Sequence, residues 1–299
     1  MRWNLLLAAL AASWGFIAVL VAAVALDAGA LAFARLAIAA ATLGLVAACT
    51  GRIASLRPGA DLPPLVLLGV VQGAHWLLFF LAVKHGSVAL AVLTFYTAPV
   101  FIALAAPALL GERVSNVALG ALVPGGVGVA LVALAGPGGG FSAWAVAAGL
   151  GSAVTYAALV IVSKRLLRAR AKPLTVAFWD CLVGAVALAP ALLLVERVLP
   201  ADGPDWGAVL ALGVVFTGLS TLAYATLLRR VTAQAAGVLT FLEPVAAVLL
   251  AAVLVDEPLS AQVAVGGGLV LLAGLAVVVL EPAEVPVTEA AAAVGSEAR

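Results

Sequence analysis

Along most of the chain, apolar residues run in long stretches, and polar residues are confined to short gaps between them. About 20 apolar residues make a helix long enough to cross a bilayer. Ten stretches of that kind are read, at 3–25, 28–49, 64–83, 87–109, 117–135, 142–163, 174–195, 206–228, 233–254 and 261–280. The gaps between them hold Asp27, Arg52 to Pro64, Lys84-His85-Gly86, Gly111-Glu112-Arg113, Gly136 to Gly140, Lys164 to Pro173, Glu196 to Asp205, Arg229-Arg230 and Asp256-Glu257-Pro258. Residues 281–299 are polar and rich in Glu and Ala, which predicts a disordered cytoplasmic tail. The expected fold class is an all-α integral membrane protein of ten transmembrane helices.

Composition makes lipid the solvent. Hydrophobic residues are 66% of the 299 and charged residues 10%, with a mean hydropathy of +1.26. A soluble chain is nearer half apolar and a quarter charged. The abundant Gly and Ala suit close approach of helices in a bilayer. A net charge of +1 argues against a nucleic-acid partner. Cys49 and Cys181 both fall in apolar runs and read as small buried hydrophobes rather than as a disulfide or metal pair. The N-terminal run after Arg2 resembles a secretory signal, but no long polar sequence follows it, so it is read as the first span.

Basic residues set the orientation. With a cytoplasmic N-terminus, the inner side carries Arg2, Arg52, Arg57, Arg113, Lys164, Arg165, Arg168, Arg170, Lys172, Arg229, Arg230 and Arg299, and the outer side only Lys84 and Arg197. That asymmetry in short loops predicts both termini in the cytoplasm of a multi-pass inner (plasma) membrane protein.

The letters also repeat. Ala91-Val92-Leu93-Thr94-Phe95-Tyr96-Thr97-Ala98-Pro99 is echoed by Gly237-Val238-Leu239-Thr240-Phe241-Leu242-Glu243-Pro244. Pro99 precedes Glu112 by thirteen positions, as Pro244 precedes Glu257, and Ser115 and Ser260 keep the same offset of 145. Five spans per copy, an odd number, turn the second copy upside down relative to the first. The copies are expected at 1–138 and 139–280, with a substrate site near the midplane between them.

The Pro-x(12)-Glu endings after Val-Leu-Thr-Phe resemble the EamA repeat of the drug/metabolite transporter superfamily. Ser13-Trp14-Gly15, Arg35 and His75-Trp76 before Ala82 add to the resemblance, which covers roughly residues 3–280. It implies a carrier of amino acids or small metabolites, often one driven by the proton gradient. One departure stands out: Asp256 precedes Glu257 where Gly111 precedes Glu112.

Depth along each span follows from a helical rise of about 1.5 Å per residue. Trp14, His75, Tyr96 and Glu243 then lie about 14–17 Å deep in a core about 30 Å thick, and are expected to form one polar and aromatic layer. Glu243 precedes Pro244, which removes a backbone donor and frees a carbonyl one turn back. A carboxyl at that depth is costly unless paired, protonated or hydrated. It reads as a proton-coupling or substrate-amine site, against the alternative of a protonated carboxyl tying two helices together. His75, with Gln72, Trp76 and Phe79, makes a stripe at i, i+3, i+4 and i+7. The stripe reads as a substrate wall, with His75 as a second proton-exchange candidate, or as ordinary helix packing. Trp14, Trp76 and Tyr96 lie mid-span, away from the interfacial belts, which suits a pocket lining.

Arg35 and Asp180 also stand 145 apart, in spans 2 and 7. Depth leaves roughly 10 Å between them, which disfavours a salt bridge. Arg35 is expected to snorkel outward and Asp180 to meet the basic loop before it, in gating or structural roles. Pro99, Pro244, Glu112 and Glu257 are read in the same way. The two glutamates end spans 4 and 9 at opposite faces, where a carboxylate opposes the helix dipole and calls for a partner. Gly69-Val70-Val71-Gln72-Gly73 and Gly266-Gly267-Gly268 read as close-packing surfaces, the former also as a weak dimerisation signal.

The function expected is secondary active export of amino acids or similar small metabolites by alternating access. No Walker-type phosphate loop is present, so ATP is not the direct energy source. The alternative is an intramembrane lipid-modifying enzyme, which would need catalytic side chains clustered at one membrane face. With two histidines, one of them His85 in a loop, no such cluster is visible, and no enzyme activity, cofactor or metal is expected. A passive channel lacks a ring of polar pore residues. The expected partners are a small-molecule substrate, the lipid bilayer and protons, with the chain a monomer or homodimer.

Overall fold

The computed structural model describes residues 2–22, 24–85, 88–113, 115–134, 142–196, 199–200, 203–254 and 260–280. The expectations for Gly86, Gly136 to Gly140, Arg197, Asp256, Glu257, Pro258 and the 281–299 tail lie outside these residues. Among the described residues all regular structure is helical. In chain order the α-helices are α1 (Arg2–Ser13), α2 (Gly15–Ala22), α3 (Ala28–Cys49), α4 (Leu62–His85), α5 (Val88–Phe95), α6 (Ala98–Leu110) and α7 (Asn116–Leu134). They continue with α8 (Ala143–Arg168), α9 (Pro173–Leu188), α10 (Gly203–Gly213), α11 (Ser220–Leu228), α12 (Ala233–Leu239), α13 (Leu242–Leu254) and α14 (Ala261–Leu280). Among the described residues, eight helical stretches are long and apolar enough to cross a membrane, and 116–131 and 233–247 are shorter apolar helices. Together they make the ten spans.

Three spans are each split into two half-helices: span 1 (α1, α2), span 4 (α5, α6) and span 9 (α12, α13). Span 8 joins α10 to α11 through a π-helical turn, Val214–Leu219. The prolines explain two of the breaks. Pro99 and Pro244 each fall in the first turn of the second half-helix, where a missing N–H costs little. The carbonyl of Thr240, which Pro244 cannot reach, accepts instead from the Glu243 N–H at 3.1 Å.

Packing follows a two-fold exchange of span n with span n+5. Span 3 packs on 6 as 8 packs on 1; spans 4 and 6 touch as 9 and 1 do; 3 meets 7 as 8 meets 2. Spans 2 and 7, 4 and 9, and 5 and 10 each pack against their own counterpart. The protein is thus two inverted five-helix repeats. Glycine permits the closest crossings. A Cβ at Gly69 would stand 2.4 Å from Val183 Cβ, and one at Gly128 would stand 2.4 Å from the Gly266 carbonyl. Gly69 and Gly73 therefore join span 3 to span 7 of the same chain, which accounts for their spacing without a dimer.

Span 6 runs further than the sequence predicts. Its helix extends to Arg168, so Lys164 is buried rather than in a loop. Its Nζ donates to the carbonyls of Leu228 (2.6 Å) and Val231, groups left open where α11 ends. Cys181 is buried as expected, but Cys49 is exposed at the last turn of α3.

Burial differs between the two halves of the split spans. At the end that carries the basic loops, all of α12 is buried, as are Leu7, Ala8 and Ala11 of α1 and Ile102, Ala103 and Ala106 of α6. Toward the other end, Ile17 and Leu20 of α2, Val92 and Phe95 of α5, and Glu243, Pro244 and Ala246 of α13 are only half-buried.

Candidate functional site

The helix breaks converge at mid-depth. Trp14 is the turn residue between α1 and α2, and its indole Nε1–H donates to Ser220 Oγ at the start of α11. Its ring lies 5.7 Å from that of Tyr224. His75, in the middle of α4, reaches α8: Nδ1 lies 3.1 Å from the Ser152 carbonyl and 3.0 Å from its Oγ. The Ser152 hydroxyl also reaches the His75 carbonyl at 3.3 Å. The set closes with the hydrogen on Nδ1, donated to the Ser152 carbonyl, while the Ser152 hydroxyl donates back; Nε2 is then an acceptor. The imidazole stands 5.3 Å from Phe95 and 5.6 Å from Tyr156.

Tyr96 sits in the break of span 4 with its hydroxyl toward the Glu243 carboxyl, its ring 4.9 Å from Phe95 and 6.1 Å from Phe241. Tyr156 also faces Glu243 and points its hydroxyl at that of Tyr224, which is buried and completes no hydrogen bond. Trp14, Tyr224, Tyr156, Glu243, Tyr96, Phe95 and His75 thus form one continuous cluster. It draws on spans 1, 3, 4, 6, 8 and 9.

Arg35 belongs to the edge of this cluster. It is 6% exposed, so it does not snorkel outward. Its Nε donates to Thr217 Oγ1 at 3.2 Å, and its Cζ lies 4.9 Å from the centre of the Trp76 ring. Thr217 lies in the π-helical turn, and its hydroxyl donates to the Leu212 carbonyl at 2.7 Å. That turn presses Gly213 and Gly218 onto Ile38 and Ala39 of α3, which brings the threonine within reach of the guanidinium. Glu243 is an electrostatic partner of Arg35.

The rest of the predicted stripe divides. Gln72 packs against Gly184 of α9, while Phe79 meets Trp76, Phe80 and Phe95 edge to face. Asp180 does not meet Arg35 or a basic loop side chain; its Oδ1 is buried without a hydrogen bond. Pro99 lies where spans 4 and 9 cross, 3.3 Å from a Cβ placed on Gly237. Glu112 has the partner at a neighbouring helix end that its position called for. It pairs with Arg168 at 3.1 Å, and both its oxygens accept from the Ala233 N–H at 3.0 Å, at the start of α12. Among the described residues no three His, Cys, Asp or Glu side chains converge on a metal position.

Five polar residues of this region were not singled out from sequence: Ser152, Tyr156, Thr217, Ser220 and Tyr224. The repeat holds the signal for three of them. Thr217, Ser220 and Tyr224 stand 145 residues after Gln72, His75 and Phe79, so the third span of each copy offers the same face.

The EamA-like transporter family matches residues 1–134 and again 143–280. A protein named an uncharacterised transporter, from Archaeoglobus fulgidus, is 28% identical over 72% of this chain and 75% of its own. A pseudopaline exporter, CntI, from Pseudomonas aeruginosa is 31% identical over 54% of this chain and 56% of its own. A solved crystal structure at 24% identity superposes with a TM-score of 0.80 over 93% of this chain and 96% of the other, a likeness of fold.

Proposed function

The chain belongs to the EamA-like transporter family, and from that membership we propose that it is a secondary active exporter of amino acids or similar small metabolites, working by alternating access. The observation that carries the reading is the mid-depth cluster, where an acidic side chain, a histidine and several aromatic rings meet at three helix breaks. Carriers place their substrate sites at such breaks, near the midplane between inverted repeats. The likeness to a pseudopaline exporter supports outward transport of a small metabolite. The repeats are taken as residues 1–138 and 139–280.

The basic end is taken as cytoplasmic, with both termini inside. In that orientation the tightly packed half is cytoplasmic and the looser half faces outward, so this conformation is closed to the inside. Glu112, Arg168 and the start of α12 hold that closure. Substrate leaves toward the outside, and rocking of the repeats re-exposes the cluster to the cytoplasm. Glu243 is the proton-exchanging group, with His75 the second candidate. Ionisable groups at this depth are costly to keep, and a coupling role accounts for one.

In proteoliposomes, Glu243→Gln is expected to abolish the dependence of the remaining flux on the pH gradient. Gradient-dependent flux equal to the wild type would reject Glu243 as the coupling group.

A further inference from the structure

On the reading that this chain carries a small amphipathic metabolite, we infer that Arg35 binds the substrate's carboxylate and Glu243 its ammonium group, and that the substrate is a zwitterionic α-amino acid with an apolar side chain. The inference starts from how the guanidinium is held. Thr217 takes the Nε–H, and Cζ lies over the Trp76 ring. Neither contact uses Nη1 or Nη2. Among the described residues these two nitrogens make no hydrogen bond and no ion pair, yet they are not sealed among the buried unpartnered atoms. Four of the five N–H groups of a guanidinium sit on them, in a planar fork that matches a carboxylate bidentately.

Buried Lys164 and partly buried Arg168 behave differently. Lys164 spends its ammonium on the carbonyls of Leu228 and Val231, and Arg168 its guanidinium on Leu110 and Glu112. Those are structural arrangements, with donors directed at fixed acceptors. Arg35 has instead one side pinned and the other open, as a ligand-binding arginine requires.

Glu243 supplies the opposite pole. It is an electrostatic partner of Arg35, its carboxyl takes the Tyr96 hydroxyl, and among the described residues no ion pair joins it to the guanidinium. A simple amine there would leave Arg35 uncompensated, and a simple anion would hold Glu243 protonated, at odds with its exchange of a proton. An uncompensated charge in a low-dielectric site is expensive. A molecule bearing carboxylate and ammonium on one carbon satisfies both at once. Its side chain then meets Trp14, Phe95, Tyr156 and Tyr224, which provide apolar faces.

The test uses L-phenylalanine, 2-phenylethylamine (no carboxylate) and 3-phenylpropionate (no ammonium), titrated calorimetrically into purified protein in detergent. The wild type is expected to bind L-phenylalanine at least tenfold more tightly than either analogue, a comparison that needs no variant. In Arg35→Lys, which keeps the charge but loses the fork, the loss for L-phenylalanine is expected to exceed that for 2-phenylethylamine at least tenfold. Equal affinity of the wild type for L-phenylalanine and 2-phenylethylamine, or equal losses of both in the variant, would overturn the assignment. Saturable exchange of 2-phenylethylamine at that equal affinity would leave the carrier reading standing. Absence of saturable exchange with all three probes would remove both.

Discussion

Two hydrogen-bonded pairs tie the candidate site together: His75 with Ser152, and Trp14 with Ser220. They are related contacts, because positions 75 and 220 stand 145 apart and each reaches the first span of the other repeat. In Ser220→Ala the indole N–H loses its acceptor, which should cost about 1–3 kcal/mol. The unfolding midpoint in detergent should fall, and adding Ser220→Ala to Trp14→Phe should lower it no further; an additive loss would show that the pair does not interact. The donors were easier to read than their partners. A Trp or His inside an apolar run is conspicuous, whereas Ser152 is one small residue among many in span 6. Arg35 shows the same limit. Depth alone pointed it outward, and nothing near it in sequence announced that a π-helical turn some 180 residues later would bring Thr217 to it (|i−j| = 182).

At the scale of the helix, the half-helices and their caps decide the architecture. Glu112 accepts from the first N–H of α12, where a carboxylate is favoured by the helix dipole, and holds Arg168 from α8. Glu112→Ala removes that cap and the ion pair with Arg168; with Arg168 partly exposed, a loss of about 1–2 kcal/mol is expected. The account further expects the end with the basic loops to open more readily, seen as faster alkylation of a cysteine placed at Ser115 by an impermeant thiol reagent added from the Arg2 side. An unchanged rate would remove Glu112 from the closure. The breaks of spans 4 and 9 were legible, since Pro99 and Pro244 mark them. The break at Trp14 was not, because the preceding run has no proline and Gly15 reads equally well as a packing glycine. Gly15 is indeed one: a Cβ there would stand 2.5 Å from the Ala247 backbone nitrogen.

For the whole molecule, the span count and the inverted repeat were readable because bilayer thickness and charge asymmetry constrain them directly. The packing of span 3 on 6 and 8 on 1 was not, since all faces of a lipid-embedded helix are apolar and the pattern does not say which face meets protein. That exchange symmetry makes alternating access natural. On the proposed carrier reading, rocking of the repeats about that two-fold exposes the cluster to each side in turn. Overpacking an axial crossing should arrest it. Gly128→Leu, at a position with no room for a Cβ beside Gly266, should lower the unfolding midpoint and slow exchange together, as overpacking costs about 1–3 kcal/mol. Wild-type exchange rates in that variant would argue that spans 5 and 10 do not serve as the axis.

The most direct test of the carrier account is counterflow in proteoliposomes. Vesicles are preloaded with unlabelled L-phenylalanine and diluted into a trace of labelled L-phenylalanine. A site exposed alternately to each side predicts transient accumulation of label above its outside concentration, saturating with external substrate and lost in Arg35→Gln. Flux that merely equilibrates, without overshoot or saturation, would contradict it.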